Sequence, residues 1–282
     1  MTHIRLGVSD ILKVQIFIAL IMVRDVSMSY FDLSERKIVV TGANGHLGRV
    51  IVKGLLESGS QVLALCRHKE NLLSLEQSFG SSIKVEFVDC RNEDELKNSF
   101  RRYYEDYGEI DGLVNNIYSG SRRPQIFQAS EDILDTIDAT FISYWLALRS
   151  ILPFLNKRNA SIVNNGSLWG LVSPDPSNYL DLENEPSISL VAAKAAVHQF
   201  TKYSAVLLSK DNIRVNTIVP GWFPQKRGVE RLDYIEVLCK RIPFGRIGKP
   251  EEIVGPVLFL LSDSSSYMTG QELIIDGGYT LT

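Results

Sequence analysis

The feature that most constrains this chain is a regular alternation, from residue 37 onward, of short apolar runs with longer stretches of helical periodicity. Short apolar runs bounded by turn residues are typical of strands that are buried on both faces. Strands that alternate with helices predict a parallel sheet covered by helices on both sides. The predicted strands lie at 37–41, 61–65, 83–88, 112–115, 161–164, 213–219 and 272–275.

The predicted helices lie at 47–58, 71–79, 93–104, 131–155, 187–208 and 251–261. Together with the strands they indicate one α/β domain over residues 31–282, which is doubly wound and Rossmann-like, with a parallel sheet of about seven strands. Helix 187–208 is apolar nearly all round, so we expect it to be buried against something beyond its own sheet. A homo-oligomer would supply that second surface.

Residues 1–30 differ from the rest of the chain. Their apolar stretch, 11–23, is interrupted by Lys13 and Gln15 and is shorter than the roughly 20 apolar residues that span a bilayer. A signal peptide is the alternative, but the stretch lacks a basic start and a small-residue cleavage site. We therefore expect a disordered or non-native extension without a membrane span, with Met28 as a candidate start.

The composition excludes several classes of function. The net charge is −3 and the charges are scattered along the chain, which argues against a nucleic-acid partner. The three cysteines, Cys66, Cys90 and Cys239, are far apart, and they suggest neither disulfides nor a metal site. This cysteine usage fits a reducing cytoplasm.

A glycine-rich turn joins the first predicted strand to its helix. It reads Thr41-Gly42-Ala43-Asn44-Gly45-His46-Leu47-Gly48. Glycines at such a place permit a tight turn and let backbone N–H groups approach a pyrophosphate at the helix N-terminus. The alternative is a tight turn without a ligand. His46 contacts a phosphate in one interpretation and caps the helix in the other.

The end of the second strand bears on the choice of cofactor. The sequence there is Cys66-Arg67-His68-Lys69, with no acidic residue to bind the adenosine ribose hydroxyls. Arg67 instead offers a bidentate fork for a 2′-phosphate. These residues favour NADP over NAD, although a solvated basic helix start would have the same composition.

Five further segments complete an ordered set of motifs. They are Asp89 after the third strand, Asn115-Asn116 after the fourth, the run from Ser161 to Ser167, the run from Ser187 to Val197 around Lys194, and Ile213 to Pro220-Gly221. With residues 242–252 and 269–278, this set resembles the short-chain dehydrogenase/reductase family, single-domain branch, over about residues 33–280.

The resemblance implies roles for these residues. Ser167 matches the serine that hydrogen-bonds the reacting oxygen, and Lys194 matches the lysine that binds the nicotinamide ribose. Asp89 and Asn115-Asn116 match parts of the adenine and cofactor pocket, and Pro220-Gly221 matches the turn that closes over the nicotinamide. The family's activity would be NAD(P)-dependent oxidation or reduction of a small-molecule hydroxyl or carbonyl.

The chain departs from the family at several positions. Leu190 stands where the family has its acid/base tyrosine, and leucine has no ionisable group. Thr140 aligns with the asparagine of the proton relay, and the larger pair Ile117-Tyr118 replaces two small residues. In the glycine-rich turn the middle glycine is one position earlier than in the family, so His46 stands at the position where the family has that glycine.

A proton donor other than position 190 is therefore needed. The segment 174–186 between Ser167 and Leu190 is longer than in the family and carries Tyr179, whose phenol makes it the candidate catalytic donor. Tyr179 could equally pack the loop as an aromatic anchor. Tyr118, Ser187 and a water held by Ser167 and Lys194 are the other candidates.

Two functions follow from the sequence. The first is an NAD(P)-dependent oxidoreductase, possibly acting on a sugar, with non-standard proton transfer. The second is an NADP-binding pseudoenzyme that regulates or scaffolds a partner.

Overall fold

Seven parallel strands form the central sheet. The computed structural model describes residues 31–67, 72–118, 129–175, 186–224 and 232–282. The strands begin and end within one residue of their predicted bounds, because each apolar run is flanked by turn residues. They are β1 (Lys37–Thr41), β2 (Gln61–Cys66), β3 (Ile83–Phe87), β4 (Gly112–Asn115), β5 (Ser161–Asn165), β6 (Arg214–Pro220) and β7 (Glu272–Ile275).

The strand order is β3-β2-β1-β4-β5-β6-β7, and every neighbouring pair is parallel. The chain moves from β1 towards one edge of the sheet and then returns to build the other edge from β4. The topology therefore reverses between β1 and β4, and ligands of doubly wound sheets bind outside the carboxyl ends of the strands at this switch point.

Alternating side chains of the strands bury two separate cores. In β1, Val39 packs in one apolar cluster with Phe100 and Ile151, whereas Val40 packs in another with Leu55 and Val257. A strand has a side-chain period of two, so it can fill both cores at once only if both faces are covered. The predicted doubly wound Rossmann-like fold is thus confirmed.

Helices pack on both faces of this sheet. They are α1 (His46–Glu57), α2 (Leu72–Phe79), α3 (Glu93–Tyr107), α4 (Ser130–Ile137), α5 (Ser143–Ile151), α6 (Ile188–Leu208), α7 (Leu232–Arg241) and α8 (Val254–Leu261).

Two helical predictions were wrong in detail. The single helix predicted at 131–155 is interrupted by a π-helical turn, Asp138–Ile142, between α4 and α5, and ends at Ile151. Hydrophobic periodicity does not distinguish such a turn, which changes the hydrogen-bond spacing over a few residues. The helix predicted at 251–261 begins with a 3₁₀ turn, Pro250–Ile253, and becomes α-helical only in α8. Helix α7 was not predicted at all.

Several sequence predictions lie outside the described residues. They include the extension 1–30, His68-Lys69 and Tyr179. Among the residues that the structure does describe, no helix is both long and apolar enough to cross a membrane.

Candidate cofactor and substrate pocket

A pocket of about 570 Å³ lies at the carboxyl ends of the strands. The sheet reverses its topology at this edge, so loops from both halves of the fold meet around one cavity. Twelve of the residues that the sequence assigns to cofactor or substrate line it. They are Gly42, Asn44, Gly45, His46, Leu47, Arg67, Asp89, Asn116, Ser167, Lys194, Pro220 and Gly221.

Three predicted cofactor-binding residues lie behind the pocket wall instead. Thr41 is fully buried, and its hydroxyl accepts a hydrogen bond from the Asn116 amide at 3.1 Å. Gly48 packs so closely on the turn that a Cβ there would lie 2.2 Å from the Gly42 carbonyl oxygen. Asn115 donates to the side chain of Asn164 at 2.9 Å. These residues support the wall rather than contact its contents.

The glycine-rich turn forms one end of the pocket. Gly42 has φ +61°, and a Cβ there would come within 2.7 Å of the Asn116 carbonyl oxygen. Helix α1 begins at His46, and Gly45 at its N-cap has no side chain to accept from the first-turn N–H groups. The buried Nε2 of His46 has no hydrogen-bond partner in the described part of the chain. The N–H groups of this first turn fit the pyrophosphate of a dinucleotide.

Charged side chains gather where strands β2 and β3 end. The Asp89 carboxylate accepts from both the Nε and the Nη2 of Arg91, at 3.1 and 2.8 Å. Hydrogen bonding to the Arg91 guanidinium lowers the pKa of Asp89, and the nearby charge of Arg67 lowers it further. One carboxylate, paired with Arg91, therefore lies near the Arg67 guanidinium at this edge of the sheet.

Lys194 lines the pocket on helix α6, one helical turn after Leu190. Its Nζ donates to the Asn165 carbonyl oxygen at 2.6 Å and lies 5.5 Å from the centre of the Tyr144 ring. Burial lowers the pKa of Lys194 to about 7, because an ammonium loses hydration in the interior. Leu190 lines the pocket with 7% of its surface exposed, so an aliphatic group stands beside this amine.

A chain of amides that the sequence analysis missed links the two ends of the pocket. Asn165 donates from its side chain to Asn116 at 2.7 Å, and Asn116 donates in turn to the Gly42 carbonyl oxygen at 3.1 Å. The Asn165 carbonyl oxygen accepts hydrogen bonds from both Lys194 Nζ and the Tyr144 hydroxyl. Paired asparagines end the adjacent strands β4 and β5, a repetition that could have revealed this network.

The candidate proton donors Ser187 and Tyr118, the relay position Thr140 and the catalytic candidate Ser167 occupy different places. Ser187 caps α6 by accepting from the Leu190 amide, so its hydroxyl serves the helix and does not line the pocket. Tyr118 lines the pocket but has 62% of its surface exposed. Thr140 is fully buried in the π-helical turn and does not line the pocket. Ser167 lines the pocket, and its Oγ accepts from the Trp169 amide at 3.2 Å.

An aromatic wall adjoins Ser167 and was not predicted. Trp169 and Trp222 pack edge to face with their ring centres 5.4 Å apart, and Tyr234 packs on Trp222 at 5.9 Å. All three line the pocket. Edge-to-face packing holds aromatic rings in fixed orientations, so this wall gives the substrate end a defined shape. Elsewhere, no cluster of His, Cys, Asp and Glu suited to a metal ion occurs among the described residues.

The chain matches known proteins over most of its length. A family model described as enoyl-(acyl carrier protein) reductase matches residues 42–280. The chain is 34% identical over 258 residues to the 3-oxoacyl-[acyl-carrier-protein] reductase FabG of Thermotoga maritima, which covers 88% of this chain and 99% of that protein.

Two solved structures share the fold and hold dinucleotides. A short-chain dehydrogenase from Leptospira borgpetersenii with bound NAD+ is 26% identical, with a TM-score of 0.81 over 90% of this chain and 96% of that one. The Pseudomonas aeruginosa RhlG/NADP complex is 27% identical, with a TM-score of 0.78 over 89% and 99%. The chain therefore belongs to the short-chain dehydrogenase/reductase family.

Proposed function

We propose that this protein is an NADP-dependent oxidoreductase that interconverts a carbonyl and a hydroxyl group on a small molecule. The single observation that carries the proposal is that the phosphate-binding turn, Arg67, Ser167 and Lys194 all line one cavity. Relatives named as reductases and dehydrogenases support the reaction class.

Preference for NADP rests on Arg67. This residue lines the pocket just after β2, where its guanidinium would bind the 2′-phosphate of the cofactor in a bidentate manner. A ribose-binding carboxylate would repel that phosphate, and the sequence after β2 supplies none. Both NAD+ and NADP occur in the solved relatives, so the chain's own residues decide the preference.

Bound NADPH would supply the hydride. Ser167 would hydrogen-bond the substrate oxygen, as a positioned donor does where negative charge develops. A buried ammonium whose pKa is about 7 is balanced between its two protonation states at neutral pH. Lys194 would therefore pass a proton through a held water to that oxygen and regain one from solvent.

Tyr179 is the second candidate for the proton. Its phenol lies outside the described residues, so the proposal for it rests on chemistry and on the lengthened segment 174–186. The variant Tyr179→Phe separates the two routes, because it removes one hydroxyl and keeps the ring. Unchanged turnover assigns the proton to Lys194 and water, whereas a loss of about 10²-fold or more assigns it to Tyr179.

The test of the function is a turnover screen. Purified protein is given NADPH with plain aliphatic carbonyls, with sugars and with other hydroxylated carbonyls, since a sugar belongs to the substrate class proposed. Oxidation of NADPH is followed by absorbance and the alcohol product by mass spectrometry. We expect stoichiometric product with at least one class, and lower activity with NADH. Tight NADPH binding without turnover on any of them would favour a cofactor-binding pseudoenzyme instead.

A further inference from the structure

A buried imidazole lies directly beneath Ser167. His198 has 3% of its surface exposed on α6, one turn after Lys194, and it does not line the pocket. The Ser167 amide donates to its Nε2 at 3.2 Å. The glycines around Ser167 make room for the ring, because a Cβ at Gly166 or Gly170 would lie 2.4 or 2.7 Å from that nitrogen. The segment that holds Ser167 is therefore built against this side chain.

The other nitrogen of the ring faces a carboxylate. The Nδ1 of His198 lies 3.3 Å from Oε1 of Glu272 on β7, and Lys202 Nζ lies 2.8 Å from the same oxygen. Because Nε2 accepts from Ser167, a neutral ring carries its proton on Nδ1, where it meets the carboxylate. A partner on one ring nitrogen sets the tautomer and therefore the role of the other. Glu272 thus keeps Nε2 available as an acceptor.

The protonation state of His198 decides whether the contact with Ser167 exists. Burial lowers the pKa of His198 from 6.5, against the opposing effect of Glu272, and Lys194 and Lys202 on its own helix lower it further. The ring is therefore neutral at pH 7. A second proton would place N–H on Nε2, facing the N–H of Ser167, and two donors cannot form a hydrogen bond.

We propose that His198 is a positioning residue that fixes the main chain at Ser167, that Glu272 orients it, and that its protonation in acid releases the segment. The effect on turnover rests on the catalytic role proposed for Ser167, whereas the effect on the main chain does not.

Three substitutions test this pair. The variant His198→Leu removes the acceptor of the Ser167 N–H. Its kcat should fall about 10- to 100-fold, because small misplacements of reacting groups lower kcat by such factors, while KM for NADPH stays nearly unchanged. His198→Gln supplies a carbonyl oxygen near the place of Nε2 and does not titrate. In the wild type, kcat should fall at low pH as His198 is protonated. The His198→Gln variant should keep most of the turnover at pH 7 and should not show this fall. Glu272→Gln should move that fall to lower pH, because it removes the charge that favours protonated His198.

A readout that needs no substrate separates this proposal from the proposed function. Hydrogen–deuterium exchange of residues 165–170 should be faster in His198→Leu than in the wild type at pH 7. In the wild type, protection should be lost as pH falls below 6.5, after correction for intrinsic exchange rates. Gln199→Ala, which changes an exposed neighbour on the same helix, is the matched control and should leave exchange unaltered.

Each result decides a separate point. Unchanged exchange in a folded His198→Leu protein overturns the proposal. If that variant does not fold, His198→Gln decides, and an acidic fall that persists in it overturns the proposal. Faster exchange with unchanged turnover in both His198→Leu and Ser167→Ala supports the contact and contradicts the catalytic role of Ser167.

Discussion

Leu190 stands at the position where the sequence resemblance implies a tyrosine. Its side chain lines the pocket, and Lys194 one turn later donates to the Asn165 carbonyl oxygen. The resemblance therefore implies that one proton donor is missing while the lysine is present. Placing a tyrosine at position 190 therefore tests directly whether the other site residues can support catalysis.

Leu190→Tyr should raise carbonyl reductase activity about tenfold or more, since a positioned acid contributes roughly 10²–10⁴-fold. The added ring extends into the cavity that Leu190 already lines, so we expect the fold to accept it. Turnover with NADPH at fixed substrate concentration measures the gain. Leu190→Phe is the control, because it adds the ring without the hydroxyl and should give no gain. Equal activity in both variants would contradict the account.

Lys194→Met should stabilise the protein and impair its activity. The pKa of Lys194 is about 7 in the folded protein and 10.5 when exposed. The lowered pKa therefore does not reduce folding stability above pH 10.5, and it reduces stability progressively more as pH falls from 10.5 to about 7. Removing the amine should therefore raise the free energy of unfolding at pH 7 by about 1–2 kcal/mol, a gain that shrinks towards pH 10.

Urea unfolding at pH 7 and pH 10 measures this difference. Lys53→Met, which changes a lysine with 60% of its side chain exposed, is the control and should shift stability by less than about 0.5 kcal/mol. A destabilised Lys194→Met protein at pH 7 would contradict the burial cost.

Most of the residues that the sequence assigned to the site line the pocket, but the sequence missed lining and supporting residues that depend on distant partners. The phosphate turn, Arg67 and Ser167 each follow a strand, so their place at one sheet edge follows from chain order. His198 was missed because its partners come from β7 and from the loop after β5, and no local pattern joins them. Trp222 was missed because an aromatic residue after a strand is ordinarily a packing residue.

Among the elements, the strands were predictable and the helix interruptions were not. A buried strand shows as an apolar run whatever its neighbours, whereas the π-helical turn Asp138–Ile142 changes the hydrogen-bond spacing without changing the hydrophobic pattern. Among the described helices, α6 exposes a group of apolar side chains: Tyr203, Val206 and Leu207 are 68%, 77% and 52% exposed. Exposed apolar side chains grouped on one helix mark an interaction surface.

Val206→Glu should therefore weaken a homo-oligomer that we expect to form through α6. A carboxylate at this position would lose its hydration in an apolar interface, which is costly unless it is paired. Sedimentation velocity at several concentrations measures the change in mass. Lys210→Glu, beyond the end of the helix, should leave the oligomer intact. A wild-type protein that is monomeric at high concentration would contradict the prediction.

On the scale of the whole molecule, the reversal of strand order between β1 and β4 explains why one cavity collects these residues. Loops from both halves of the sheet open at the same edge, and the amide chain from Gly42 through Asn116 to Asn165 joins them. The fold thus builds the proposed dinucleotide site from contacts that do not include the side chain at position 190.

Titration of the protein with NADPH, followed by cofactor fluorescence, tests this central claim most directly because it needs no substrate. We predict saturable binding well below 1 mM, weaker binding of NADH, and a loss of about 10- to 100-fold in NADPH affinity in Arg67→Ala, the cost of one charge-assisted phosphate contact. An absence of saturable signal up to about 1 mM NADPH, about the weakest affinity that would count as a cofactor site, would contradict the account.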